Sequence, residues 1–125
     1  MRLAGPYNSG IAAGGAGVAT NNASTSTRLV GKVAGIYVKY NDTPPATTDV
    51  TVATVGTSPA APSYTLLSLT NAATDGWFYP QVQIHTSAGA AIAGEYTPFL
   101  VFDFVNILVA QANNGDSVDV WFLLE

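Results

Sequence analysis

Cysteine is absent from this chain of 125 residues, and histidine occurs only once. Without cysteine the chain can form no disulfide, no thiolate metal site and no cysteine nucleophile. The single histidine, His85, gives no local support for a Ser-His-Asp triad or a histidine-based zinc site. The sequence contains neither the glycine-rich motif of a phosphate-binding loop nor the acidic motif of a calcium-binding loop. The sequence therefore predicts no catalytic group, no metal and no cofactor, and we do not expect an enzyme.

Charge is also scarce, because Asp, Glu, Lys and Arg make up 10% of the residues, against about 25% in an ordinary soluble domain. All eight acids follow the last basic residue, which gives the greater part of the chain an acidic character. Nucleic acid is therefore disfavoured as a partner, and no apolar run approaches the roughly 18 residues of a membrane span. A neutral surface resembles the composition of protein interfaces, so we expect lasting association with other protein surfaces. The four basic residues are Arg2, Arg28, Lys32 and Lys39.

The first 27 residues are mostly small and neutral, since twenty of them are Gly, Ala, Ser, Thr or Asn. Such a segment has high backbone entropy and few side chains that offset the cost of ordering it. Pro6 and Asn8 interrupt the apolar stretch that a signal peptide needs, so none is expected. We predict that residues 1–27 form a flexible N-terminal arm that binds a partner. Its predicted contact residues are Arg2, Leu3, Tyr7, Ile11, Val18 and Arg28.

From Arg28 onward, β-branched and aromatic runs are separated by turn residues, which is typical of a β-sandwich or barrel. In the first run, strict alternation places Val30, Ile36 and Val38 on one face. Residues 28–125 are predicted to form one all-β domain, a small antiparallel β-sandwich or jelly-roll-like barrel. The six predicted strands are Leu29–Tyr40, Asp49–Val55, Tyr64–Thr70, Trp77–Thr86, Phe99–Gln111 and Ser117–Leu124.

The last two of these runs are apolar on both faces and are predicted to pair as a hairpin through the turn at Asn113–Asp116. A sandwich strand with two apolar faces needs a second cover. The arm, a thick core or a neighbouring subunit could supply it. Because an exposed apolar patch marks an interface, we expect a homo-oligomer, as a dimer or trimer. The predicted interface residues are Val101, Val105, Ile107, Val109, Trp121 and Leu123.

An aromatic cluster, Trp77-Phe78-Tyr79, follows the turn residues of Thr74–Gly76, and Tyr96 is a possible companion. Aromatic side chains at a loop can stack on sugars or anchor a protein contact. Alternatively, alternate members of the cluster pack into the core at the start of a strand. Trp77, Tyr79 and Tyr96 are therefore predicted as possible contacts to a glycan or a protein.

Three segments carry a family resemblance: Pro45–Val52 (PATTDVTV), Thr74–Pro80 (TDGWFYP) and Gly115–Trp121 (GDSVDVW). Together they resemble the small head-decoration, or cement, proteins of tailed bacteriophages, over residues 28–125. The resemblance implies an all-β virion protein on the outer surface of the capsid. Such a protein binds the major capsid protein and holds neighbouring subunits together. The alternative is a head-fibre or tail-associated β module that binds glycan on the host surface.

Overall fold

The protein, described here by a computed structural model of residues 1–125, is built from β-strands, turns and loops. No helix in it is long and apolar enough to cross a membrane. The predicted all-β class is confirmed. The strands are β1 (Arg2–Asn8), β2 (Ala19–Ser24), β3 (Leu29–Asn41), β4 (Asp49–Thr54), β5 (Thr65–Leu69), β6 (Gly76–Phe78), β7 (Gln81–His85), β8 (Ala91–Pro98), β9 (Leu100–Asp103), β10 (Val105–Ala112) and β11 (Ser117–Leu124).

Two antiparallel sheets pack face to face and enclose the core. The first sheet has the order β1-β11-β3-β6, with β9 also paired to β3, and the second has the order β2-β10-β4-β5. Val38 and Phe122 from the first sheet, and Val52 and Ile107 from the second, are at most 1% exposed and belong to one hydrophobic cluster. Burying one such side chain stabilises the fold by roughly 1.5–3 kcal/mol. The sandwich thus rests on the inner faces of both sheets.

The first 27 residues belong to this sandwich, which corrects the expectation of a separate flexible arm. Strand β1 pairs with β11 in the first sheet, and β2 pairs with β10 in the second. Ala4, Ala12 and Ala19 are buried in the common core. A Cβ added at Gly5 would lie 2.8 Å from the Val120 carbonyl oxygen, so small residues let the backbones approach. Backbone pairing orders this segment, and a count of its apolar side chains could not reveal that contribution.

Strands β10 and β11 lie in different sheets, so the predicted hairpin between them is wrong. The predicted run Phe99–Gln111 divides at Phe104 into β9, which pairs in the first sheet, and β10, which pairs in the second. The turn at Asn113–Asp116 therefore carries the chain from one sheet to the other. Each strand turns one apolar face to the shared core, and this accounts for much of the apolar character of both runs.

Four of the six residues predicted as a subunit interface are buried inside the chain itself, which corrects that prediction. The facing sheet covers them, so no neighbouring subunit is needed on that side. Trp121 and Leu123 point the other way and are half-buried on the outer face of the first sheet. The four buried residues are Val101, Val105, Ile107 and Val109, each at most 2% exposed.

Strand β3 follows the predicted alternation only in its second half. Ile36 and Val38 face the core as predicted, whereas Val30 is 62% exposed. The register between β3 and β11 shifts between Leu123 and Leu124. A bulge of this kind moves the alternation by one residue and reverses which face is buried. Val30 consequently lies on the outside.

Strands β7 and β8 form a separate two-stranded sheet outside the sandwich. The predicted run Trp77–Thr86 is interrupted at Tyr79 and Pro80, and β8 was not among the predicted strands. No residue from 67 to 100 is buried. This hairpin therefore contributes almost nothing to the core.

Candidate binding face on the first sheet

The outer face of the first sheet carries a cluster of aromatic side chains assembled by cross-strand pairing. Tyr37 of β3 lies opposite Trp121 of β11 on one side and opposite Trp77 of β6 on the other. The ring centroid of Tyr37 is 5.3 Å from that of Trp77 and 5.7 Å from that of Trp121. Such tilted pairs lie within the favourable range for aromatic contacts. We call the group Leu3, Tyr37, Trp77, Tyr79 and Trp121 the aromatic face.

The aromatic face is open to solvent and almost wholly apolar. Leu3, Trp77 and Tyr79 are 58%, 42% and 65% exposed. Leu3, Tyr37, Trp77 and Trp121 line a shallow depression of about 210 Å³. Single exposed apolar residues are ordinary on a protein surface, but a contiguous group marks a binding site.

A glycine on β3 allows two of these rings to lie against the sheet. A Cβ added at Gly35 would be 3.2 Å from Tyr79 Cε1 and 3.3 Å from Trp77 Cε3. The two rings are nearly parallel, with an interplanar angle of 11° and centroids 6.4 Å apart. Both rings therefore lie over Gly35, stacked nearly parallel to each other.

One free positive charge borders the aromatic face. Lys39 lies two residues after Tyr37 on β3 and opposite Asp119 on β11. The Asp119 carboxylate accepts hydrogen bonds from the side-chain amides of Asn8 at 2.8 Å and Asn41 at 2.9 Å. Lys39 is exposed and makes no salt bridge. Its ammonium group is available to an acidic group of a partner.

The structure brings together residues that the sequence assigned to three different surfaces. Leu3 was predicted in the arm, Trp121 in a subunit interface, and Trp77 and Tyr79 in an aromatic contact, yet all four lie on the aromatic face. Tyr37 was missed, although its position between the inward-facing Ile36 and Val38 could have placed it on the outer side. The pairing of β3 with β6, which joins these residues, was not predictable from alternation.

Tyr96 does not join this group. It lies on β8, is 54% exposed and makes no aromatic ring contact. Among the predicted arm residues, Tyr7 packs its ring against Phe122, with centroids 5.9 Å apart. Ile11 and Val18 are 67% and 68% exposed in the connection between β1 and β2. Arg2 is exposed at the start of β1.

Arg28, the last predicted arm residue, is held by a cluster centred on the buried Asp103. Arg28 Nη1 lies 3.8 Å from Asp103 Oδ1, and the guanidinium lies 4.9 Å from the centroid of the Phe104 ring. The Thr57 hydroxyl and the Gly56 N–H each donate a hydrogen bond of 2.7 Å to the Asp103 carboxylate. The hydrogen bond from Thr57 is the largest cause that lowers the pKa of Asp103, and it outweighs the opposing effect of burial. This cluster ties the loop after β4 to the end of β9.

No family model and no curated protein matches this chain. Among solved structures, a similar one is the CBM32-3 domain of a family 31 glycoside hydrolase from Clostridium perfringens, a carbohydrate-binding module. It aligns with 98% of this chain and 91% of its own, at 12% sequence identity and a TM-score of 0.32. A TM-score of this size supports no conclusion about family or ligand.

Proposed function

We propose that this chain is a non-catalytic structural protein of a phage virion. It binds the outer surface of the capsid through the aromatic face and cements neighbouring major capsid subunits. The observation that carries this proposal is the apolar surface on which the exposed ring of Trp77 contacts the half-buried ring of Tyr37, which in turn contacts the half-buried ring of Trp121. Trp and Tyr are enriched among the residues that contribute most binding energy to protein interfaces.

The shape of the aromatic face favours a protein partner. Its depression of about 210 Å³ is smaller than the roughly 300–1,000 Å³ of small-molecule sites. A depression this shallow suits one or two side chains of a partner that lies flat against the sheet. Two of the three segments that resemble cement proteins also supply aromatic-face residues, namely Trp77 in Thr74–Pro80 and Trp121 in Gly115–Trp121.

The test mixes purified protein with undecorated heads of the encoding phage and measures co-sedimentation and the temperature at which the heads break open. Wild-type protein should bind and raise that temperature. Trp77→Ala should bind roughly tenfold or more weakly, because it removes a central aromatic anchor. Tyr96→Ala is the matched control, since it removes an exposed aromatic ring outside the aromatic face. Undiminished binding by Trp77→Ala would contradict the proposal.

A specific observation favours a second function, glycan recognition. The rings of Trp77 and Tyr79 are exposed and nearly parallel, and such flat surfaces stack well on apolar faces of sugar rings. A glycan array probed with wild-type protein and with Trp77→Ala tests this function. Wild-type binding that Trp77→Ala abolishes would support glycan recognition. An array on which the wild-type protein binds no glycan would contradict it.

A further inference from the structure

A second exposed surface lies where β3 begins. Leu29–Lys32 pairs with β9, placing Val30 opposite Phe102 and Lys32 opposite Leu100. Opposed residues and their neighbours two positions along share one side of a ribbon, so these four side chains lie together. Val30, Leu100 and Phe102 are 62%, 60% and 50% exposed, and Lys32 is also exposed. We call these four residues the ribbon patch.

The other end of β3 borders an acidic depression of about 410 Å³. Asp42 and Asp75 contribute carboxylates to its lining, Pro44 contributes apolar surface, and no basic residue lines it. The Asp75 carboxylate accepts a hydrogen bond of 2.8 Å from the Tyr40 backbone N–H. Tyr40 also lines the depression, and its buried hydroxyl has no hydrogen-bond partner.

The two surfaces complement each other in charge. Arg28–Asp103 is the single salt bridge of the chain, so Lys32, Asp42 and Asp75 have no ionic partner within it. The ribbon patch presents the ammonium group of Lys32, whereas the acidic depression presents the carboxylates of Asp42 and Asp75. Opposite potentials on two such surfaces favour and orient their association.

Strand β3 carries one surface at each end. It has 13 residues, and at about 3.3 Å per residue it spans roughly 40 Å. A single copy cannot bring the two surfaces together. A second copy displaced along the strand direction can.

We propose that copies of this chain associate head to tail, with the ribbon patch of one copy docked on the acidic depression of the next. Lys32 then meets the carboxylates of Asp42 and Asp75, and the exposed apolar side chains around it lose contact with water. Contacts between two different surfaces repeat into rings or filaments. This association goes beyond capsid binding and leaves the aromatic face free.

The test is the molecular mass of the purified full chain, measured by sedimentation velocity over a range of concentrations and without phage heads. At low ionic strength the mass should exceed that of a monomer and rise with concentration. Salt should reduce it, because exposed charges are screened. Lys32→Glu and Asp75→Lys should each weaken self-association roughly tenfold or more. Mixing the two variants should restore self-association, because contacts between the two different variants again pair opposite charges. In one such contact the native Lys32 meets the native Asp75, and in the other the two introduced residues meet.

Lys39→Glu and Glu95→Lys are the matched controls, because they make the same kinds of charge change at exposed residues outside both surfaces. Both controls should associate like wild type, and circular dichroism should show that every variant is folded. A monomeric mass at all concentrations overturns the proposal. So does an oligomer that Lys32→Glu leaves intact, or a mixture that stays monomeric. Failure here leaves capsid binding standing, because head co-sedimentation depends on Trp77 and not on Lys32.

Discussion

Residues 1–27 carry fewer large apolar side chains than residues 67–100, yet more of them are buried. The first region consists largely of Gly, Ala, Ser, Thr and Asn, yet five of its residues are buried. The second contains Trp77, Phe78, Tyr79 and several aliphatic side chains, yet none of its residues is buried. Pairing explains part of the difference, because β1 and β2 pair with the central strands β11 and β10, whereas β7 and β8 pair only with each other. Strand β6, which carries Trp77 and Phe78, does pair with β3, but it is an edge strand of three residues. The first region is therefore ordered by strand pairing and not by the hydrophobicity of its side chains.

This contrast also separates the structural and the binding parts of the molecule. Small side chains in the first region complete the edges of both sheets, and this region contributes only Leu3 to the aromatic face. Large side chains in the second region remain exposed, and Trp77 and Tyr79 supply two of the rings in the surface proposed to bind the capsid. Exposed aromatic residues on a stable framework are available for binding at little cost to the fold.

The largest expected effect is the difference between two deletions, one in each region. Deleting residues 1–24 should abolish folding, because it removes β1 and β2 and uncovers the edges of β11 and β10. Replacing residues 81–98 by a short Gly-Ser linker should leave the sandwich folded, since Gln81 pairs with Pro98 and the gap is narrow. Circular dichroism and urea unfolding distinguish the two deletions. If the protein still folds without residues 1–24, that result would support a flexible N-terminal arm instead.

A matched pair of phenylalanines gives the next largest effect. Phe122 is fully buried and Phe102 is 50% exposed. Phe122→Ala should lower the free energy of unfolding by about 3–5 kcal/mol, because it leaves a cavity in the core. Phe102→Ala should lower it by less than about 1 kcal/mol. Equal losses in urea unfolding would show that the ribbon patch is part of the stabilising core.

Two glycines with positive φ allow a finer comparison of the two regions. Gly5 has φ +127°, and an added Cβ would clash with the Val120 carbonyl oxygen, whereas Gly94 on β8 has φ +79° and open space around it. Gly94→Ala should cost about 1 kcal/mol, from backbone strain alone. Gly5→Ala should cost at least about 1 kcal/mol more, because the β1 backbone must also move away from β11. Thermal unfolding of both variants measures the difference, and equal costs would mean that β1 is loosely held.

The smallest expected effect is a pH dependence of the free energy of unfolding that arises from Asp103. This residue lies at the end of β9, where the chain returns from the exposed region to the core. A carboxyl whose pKa is lower in the folded state stabilises the protein fully above its unfolded pKa of about 3.9. That stabilisation is lost as pH falls through the folded pKa. Wild-type protein should therefore lose stability below about pH 4.

Asp103→Asn and Thr57→Val should both be less stable at neutral pH and lose less on acidification, because the first removes the carboxyl and the second removes the hydrogen bond that lowers its pKa most. Urea unfolding between neutral and acidic pH measures the slopes. Slopes identical to that of the wild type in both variants would rule out Asp103 as their origin.

Alternation of apolar and polar residues predicted much of the fold correctly. It identified β3, β4, β5 and β11 and the inward direction of Ile36 and Val38. It placed Val30 wrongly because a bulge resets the period, and it joined β10 to β11 because period-two patterns do not say which strand pairs with which. It missed β1 and β2 because backbone hydrogen bonds leave no signature in side-chain composition. The aromatic face was predicted only in pieces, since Leu3, Trp77 and Trp121 meet through strand order in the sheet.

A cryo-EM reconstruction of heads decorated with this protein tests the central claim most directly. The aromatic face should lie against the capsid surface, with Trp77 and Trp121 in contact with major capsid protein and the second sheet turned outward. A reconstruction in which the β1-β11-β3-β6 sheet turns Trp77 and Trp121 toward solvent would contradict it.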